Sequence, residues 1–321
     1  MLHLHRSLSK NSVSTSILWG AVAASFSWPL VTFVYRYFVR SRKNLRRDYG
    51  GTYAIITGSS SGIGFEIAKQ LASEGINCVL TGRDLSRLTS AAKTLEELYK
   101  VQTKVVSMDA ASSEPNFEPL IRLCQSLPCV SILVNNVGVH NDVPANVSEM
   151  LPGDAQRIIT VNCLFQTEII SRLVPFLKPQ PGREQVPSLI VNVGSLTSHM
   201  HMPMLSVYAA TKAYLEHFSA CLGAELEPEG IEVMCLRPGI TTGAMSGIST
   251  PSLFCPTPTV MADACVRMVG RRGLLTCAPY WPHAILDVVN SWVPHILVWS
   301  AVRDMHTAKR NELLLAQHKK K

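Results

Sequence analysis

This chain is short of charge and of aromatic residues. Asp, Glu, Lys and Arg make up 17% of its 321 residues and aromatics 7%, against 47% hydrophobic residues. That balance excludes a disordered chain and supplies the apolar side chains for one large core with appendages. Of the nine cysteines, no two stand in a CxxC pair. A zinc site and a disulfide scaffold are thereby excluded; the cysteines read as reduced and mostly buried, and no metal is expected. No internal repeat or low-complexity block interrupts the chain. The net charge of +7 is concentrated at the ends: residues 1–50 hold eight Lys and Arg against Asp48 alone, and residues 51–321 hold 22 basic and 22 acidic residues. A basic tail from Arg303 onward leaves residues 51–302 at about −4, so nucleic-acid binding by the core is disfavoured.

Two uncharged stretches stand out. The first, the nineteen residues Ile17 to Tyr35, would as a helix span roughly 28 Å, close to the hydrocarbon thickness of a bilayer. A secretory signal peptide has a shorter apolar region and a small-residue cleavage site, whereas this run continues into Arg36 and a basic cluster. The expectation is a retained transmembrane anchor with the downstream domain on the cytosolic side, because six basic residues follow the run and two precede it. Pro29 fits either a kinked span or a hairpin that dips in and returns. The second stretch, the 22 residues Gly239 to Val260, is either a substrate cover or unstructured; its Met245, Ile248, Leu253 and Phe254 favour the cover.

From Thr52 onward, short apolar runs alternate with amphipathic stretches. Strands are expected near 52–57, 76–81, 103–108, 130–135, 188–194 and 231–236, with helices between. This is the βαβ pattern of a doubly wound parallel sheet. The first strand runs into Gly58, Ser59, Ser60, Ser61, Gly62, Ile63 and Gly64 and then a helix, the context in which a glycine turn and a helix N-terminus receive a pyrophosphate. Where NAD-preferring sites place a carboxylate after the second strand, this chain has Gly82 and then Arg83. A guanidinium there suits the 2′-phosphate of NADP(H).

Tyr208 and Lys212 stand one turn apart on an expected helix. A nearby ammonium stabilises a phenolate and brings proton exchange with a carbonyl oxygen into range. Ser195, ending the fifth strand, could hydrogen-bond the same oxygen, and Asn162 could hold a water that relays protons to Lys212. Each residue alone has a bland reading as a turn or surface residue; in this order behind the glycine turn they are no longer independent.

With Asp109 after the third strand, Asn135-Asn136-Val137-Gly138 after the fourth, and Pro238-Gly239 after the sixth, the chain resembles the short-chain dehydrogenase/reductase family over about residues 50–270. The resemblance implies a Rossmann-type fold and a catalytic tetrad of Asn162, Ser195, Tyr208 and Lys212. It also implies that Asp109 contacts the adenine, that Asn136 and Gly138 line the cofactor cleft, and that Pro238, Gly239, Thr241 and Thr242 lie by the nicotinamide. Asn-Asn-Val-Gly, the apolar N-terminus and Pro256-Thr257-Pro258 are similar to the membrane-anchored very-long-chain 3-oxoacyl-CoA reductases and their 17-beta-hydroxysteroid dehydrogenase relatives. The chain departs from them at Ser59-Ser60-Ser61 and at Gly239, where a bulkier residue usually follows the proline.

The expected organisation is an anchor and basic linker over 1–50, a catalytic domain over 51–275 and a membrane-associated segment with a basic tail over 276–321. Ala278 to Val302 is apolar and aromatic but broken by Pro282, Pro294 and Asp287. A segment lying on the membrane surface is expected, ahead of a second span or a buried helix. Asn146-Val147-Ser148 fits a glycosylation sequon that would stay bare in the cytosol. The C-terminal lysines lean toward the endoplasmic reticulum membrane. The function expected is NADPH-dependent reduction of a lipophilic ketone, a 3-oxoacyl-CoA or a steroid. The alternative is a non-catalytic NADP(H)-binding scaffold. Expected partners are the membrane, other fatty-acid elongation enzymes and a second copy of the chain.

Overall fold

The computed structural model describes residues 27–50, 52–179, 186–270 and 275–318. It divides into two compact units, Met1–Arg42 and Lys43–Lys321. In the first, residues 27–34 are helical and continue into a π-helix over Tyr35–Val39. Most of the expected anchor lies outside the described residues, and among those described no helix is long and apolar enough to cross a membrane. The basic residues after Arg42 are not a free linker: in the second unit Leu45 and Tyr49 are buried, and the Tyr49 hydroxyl donates to Glu232 Oε2 at 2.8 Å.

The second unit is one seven-stranded sheet of β1 (Tyr53–Thr57), β2 (Asn77–Gly82), β3 (Thr103–Ser107), β4 (Val130–Asn135), β5 (Ser188–Val193), β6 (Ile231–Leu236) and β7 (Thr276–Cys277). The order is β3-β2-β1-β4-β5-β6-β7, every pair parallel. All residues of β1, β4 and β5 are buried, as continuous apolar runs demand of strands covered on both faces. Covering helices are α1 (Gly62–Ser73), α2 (Leu85–Tyr99), α3 (Glu118–Ser126), α4 (Asp154–Ile159), α5 (Phe165–Leu177), α6 (Ser206–Leu226) and α7 (Pro258–Met268). Ile67, Ala68, Leu71 and Ala72 form the buried stripe of α1. Phe117, Phe165, Ile169 and Leu173 fill one side of the sheet against Ile55 and Leu133. Strand order reverses between β1 and β4, and a crevice opens beyond their carboxyl ends.

All six expected strands are present within a residue or two. The two-residue β7 is too short to show a period. The uncharged stretch after Gly239 is a folded loop, closed on itself by bridges Gly243 to Ile248 and Ser252 to Cys255, with Thr257 capping α7. Between α5 and β5, residues 180–185 lie outside the described residues.

The C-terminal segment forms two helices, α8 (Trp281–Trp292) and α9 (His295–His318). Pro282 sits in the first turn of α8, where it breaks no hydrogen bond, and Pro294 separates the two helices. The second span considered for this region is absent among the described residues. Asp287, expected as a lipid-averse interruption, faces inward and pairs with Arg237 Nη2 at 2.9 Å.

Candidate active site

The crevice at the β1/β4 reversal is held shut by side chains rather than by strand pairing. The Thr57 hydroxyl accepts the backbone N–H of Asn136 at 2.8 Å and of Val137 at 3.0 Å. Asn136 Nδ2 returns hydrogen bonds to the carbonyls of Thr57 and Gly58 at 3.0 and 3.2 Å. Ser59 ties the turn to β2, its Oγ accepting from Thr81 N at 3.0 Å. Gly58 and Gly62 both have φ of +63°, and a Cβ on Gly64 would lie 2.5 Å from the Gly58 carbonyl and closer still to Asn136 Nδ2. The glycines are thus needed for backbone conformation and for close packing. Ser61 leads into α1 without a side-chain cap on the helix amides, so the donors of Gly62, Ile63 and Gly64 face outward beside Ser60 and Ser61, as an anion would require.

Arg83 is exposed at the end of β2. Its acidic neighbour Asp84 caps α2 by accepting Arg87 N–H at 3.0 Å. Asp109 is exposed after β3, its carboxylate accepting Ala111 N–H at 3.0 Å. Thr241 is half-buried with its hydroxyl on the Gly239 carbonyl at 3.3 Å, and Leu196 N–H donates to the Pro238 carbonyl at 3.0 Å.

At the other side of the crevice, helix α6 presents Tyr208, Thr211 and Lys212. The Tyr208 hydroxyl faces Ser195, which opens the short turn Leu196–Ser198. Burial pushes the phenol above its ordinary value, and Ser195 pulls the other way. Burial holds Lys212 down, to about 8. Its ammonium donates to the Val193 carbonyl at 3.0 Å and stands 5.8 Å from the centre of the Tyr208 ring. The expected lowering of the tyrosine by this ammonium is not what the geometry produces: the charge is directed at a backbone oxygen and burial dominates the phenol.

Asn162 is fully buried at the centre of a π-turn, Thr160–Leu164, between α4 and α5. Its Oδ1 accepts Val139 N–H at 2.9 Å, and its Nδ2 donates to the Val139 carbonyl at 2.8 Å and to Thr211 Oγ1 at 3.0 Å. Both amide protons are occupied, leaving one oxygen lone pair for the water expected there. A Cβ on Gly138 would sit 3.3 Å from Lys212 Nζ and 3.4 Å from Asn162 Oδ1, so glycine leaves these two atoms facing one small space. Asn162, Ser195, Tyr208 and Lys212 therefore converge. Asn136 Nδ2 braces the glycine turn from behind, where only a glycine at position 64 leaves it room.

Sequence reasoning missed the surroundings. His140 packs edge-on to Tyr208 at 5.7 Å, and its Nε2 faces the Met245 carbonyl at 2.9 Å. One turn beyond Lys212 lies Glu216, in a mostly buried cluster with Arg237, Asp287 and His199. Arg237 Nε meets Glu216 Oε1 at 3.3 Å, and His199 bridges Glu216 at 3.1 Å and Asp287 at 3.2 Å. Hydrogen bonds donated to Asp287 and Glu216 raise His199 to about 9. Burial pushes Glu216 up, but His199, Ser198 and Arg237 outweigh it and hold the carboxyl at about 2. His283 is buried, accepting Gly239 N–H on Nδ1 at 3.0 Å and donating from Nε2 to the Phe254 carbonyl at 2.9 Å. That pairing requires the neutral Nε2–H form, and burial lowers the affinity of His283 for a second proton. None of these partners is near another in sequence, so no spacing could have announced them.

Residues 52–251 match the family model for short chain dehydrogenase. The very-long-chain 3-oxoacyl-CoA reductase of Meyerozyma guilliermondii is 34% identical over 310 residues, covering 91% of this chain and 90% of that protein. The reductase of the same name from Phaeosphaeria nodorum is 34% identical over 86% of this chain and 84% of its own. Among solved structures, a short-chain dehydrogenase from Sphingobium yanoikuyae in complex with NADPH superposes with a TM-score of 0.62 at 26% identity, covering 75% of this chain and 92% of that one. L-sorbose reductase from Gluconobacter frateurii, complexed with NADPH and L-sorbose, gives 0.61 at 26% identity over 71% of this chain and 94% of its own.

Two outcomes are expected from this geometry. His199 gains its proton affinity on folding, from an ordinary 6.5 to about 9. Its contribution is complete below about pH 6.5 and is lost as pH rises through 9. Thermal unfolding followed between pH 6 and 10 is expected to show a falling alkaline limb that is flattened in His199→Gln. Second, a Cβ on Gly239 would stand 2.8 Å from the His283 ring, which is fixed at both nitrogens. Gly239→Ala is expected to lower stability by about 1–3 kcal/mol, and His283→Ala added to it to cost less than the two single losses together, measured by denaturant unfolding.

Proposed function

The chain belongs to the short-chain dehydrogenase family, and on that premise we propose that it reduces the ketone of a lipophilic substrate with NADPH, the substrate being a long-chain 3-oxoacyl-CoA. The observation that carries this reading is the likeness to very-long-chain 3-oxoacyl-CoA reductases across about nine-tenths of both chains. The uncharged loop with Met245, Leu253 and Phe254 exposed supports an apolar substrate.

The glycine turn fits a dinucleotide. Uncapped amides of Gly62, Ile63 and Gly64 would hold the pyrophosphate and Asp109 the adenine side. Arg83, with Gly82 in place of a carboxylate, would hold a 2′-phosphate. When bound, NADPH supplies hydride to the carbonyl carbon. This chain's residues do the rest. Tyr208 donates the proton that the carbonyl oxygen gains as ketone becomes alcohol, and Ser195 hydrogen-bonds that oxygen as its charge develops. Lys212, ionised over much of the neutral range, orients the ribose side of the site. Asn162 fixes Lys212's turn through Thr211, and its free Oδ1 lone pair completes a path for replacing the tyrosine proton.

In this reading the apolar N-terminal run anchors the catalytic domain to the endoplasmic reticulum membrane, facing the cytosol. Residues 276–321 act as the membrane-associated part. The substrate is thereby delivered from the lipid phase.

The test is NADPH oxidation by detergent-solubilised full-length protein offered a long-chain 3-oxoacyl-CoA, with a 17-ketosteroid in parallel. Turnover of the thioester and not the steroid is expected; the reverse would overturn the substrate assignment. Tyr208→Phe is expected to lower kcat by at least about a hundredfold, the usual scale for a lost proton donor, with NADPH binding retained. Arg83→Ala is expected to raise KM for NADPH by about ten- to a hundredfold, the loss of about 1.5–3 kcal/mol from charge-assisted hydrogen bonds, while leaving the KM for NADH nearly unchanged.

A further inference from the structure

Helix α8 is built inside out. His283, Asp287 and Asn290 lie at helical spacing on its inward face, and all three reach the catalytic core. His283 ties both ends of the uncharged loop at Gly239 and Phe254. Asp287 pairs with Arg237 at 2.9 Å, and Asn290 Nδ2 donates to the His199 carbonyl at 3.1 Å. The outward face is apolar. Ile285, Val288, Val289 and Trp292 are exposed, Trp292 by 78%, and the surface continues past Pro294 into Ile296 and Leu297 of α9. A surface helix in water normally buries its apolar stripe and exposes its polar one, so this face is made for something other than water.

We infer that α8 is a lipid-seated brace: its outer face beds in the bilayer interface, and its inner face thereby holds the 239–257 loop in place over the substrate. This rests on the membrane association proposed above and adds to it a mechanical link to the site. Three features favour lipid over a protein partner. Between Ala284 and Val302 the only acidic residue is Asp287, which points inward, so seating buries no outward carboxylate. The next charge is the exposed Arg303, suited to anionic headgroups. A Trp at the exposed end of α8, beside a proline break, suits the interfacial layer. The chain also carries, in residues 17–35, an uncharged run of membrane-spanning length. The inner contacts extend the effect: Arg237 also pairs with Glu216 on α6, one turn from Lys212.

The experiment uses the full chain reconstituted in vesicles of phosphatidylcholine and phosphatidylserine containing brominated lipid. Trp292 quenching is read as the difference between wild type and Trp292→Phe. Strong quenching is expected, and it should be lost in Val288→Ser/Val289→Ser. The double variant should also raise KM for the vesicle-borne 3-oxoacyl-CoA by roughly tenfold, on the scale of the apolar burial removed. Its kcat on a short water-soluble ketone and its NADPH affinity should not change. Absence of quenching in wild type, or a sedimenting dimer that dissociates in the double variant, would overturn the inference. An unchanged KM in a double variant that no longer quenches would remove the link to the site. Failure of wild type to turn over any 3-oxoacyl-CoA while Trp292 is quenched would instead overturn the substrate reading and leave the docking intact.

Discussion

The site depends on how two strand ends are joined. Beyond Thr57 and Asn135 the strands β1 and β4 part, and the Thr57 hydroxyl with the Asn136 carboxamide replaces the lost ladder with four hydrogen bonds. Those bonds fix the glycine turn on one side and the start of the Val137–Val139 segment on the other. Asn162 then reads the position of Val139 with two more, and Thr211 carries that position into α6. The glycine turn and Tyr208 are thus set in one frame by short polar contacts in a buried place, where leaving any unmade would cost about 1–3 kcal/mol.

Helix α6 carries charge into the interior, which is costly unless answered. Lys212 is 4% exposed and satisfies its ammonium on a strand-end carbonyl. Glu216 is answered by Arg237 and His199, and these in turn by Asp287. Buried ion pairs contribute little net stability against an apolar alternative. What this cluster supplies is position: it joins α6, the turn after Ser195, the end of β6 and α8.

Gly239 shows how a departure from a relative's pattern acquires a cause. A larger residue after Pro238 and the imidazole of His283 compete for one space. This chain gives the space to His283, which fastens the loop after Gly239 at both ends.

The alternation of apolar runs with amphipathic stretches determined the sheet, because a strand buried on both faces must be apolar throughout and a covering helix on one face only. The glycine turn and the Tyr208–Lys212 pair were legible because their chemistry lies within one turn of chain. Tertiary structure alone decided that Asn136 braces the glycine turn, that Asn162 spends its amide on Val139, that Lys212 points at Val193, and that Asp287 turns inward. Those outcomes rest on contacts between residues 19 to 88 positions apart, whose partners are chosen by the packing of whole elements and leave no local period in the sequence.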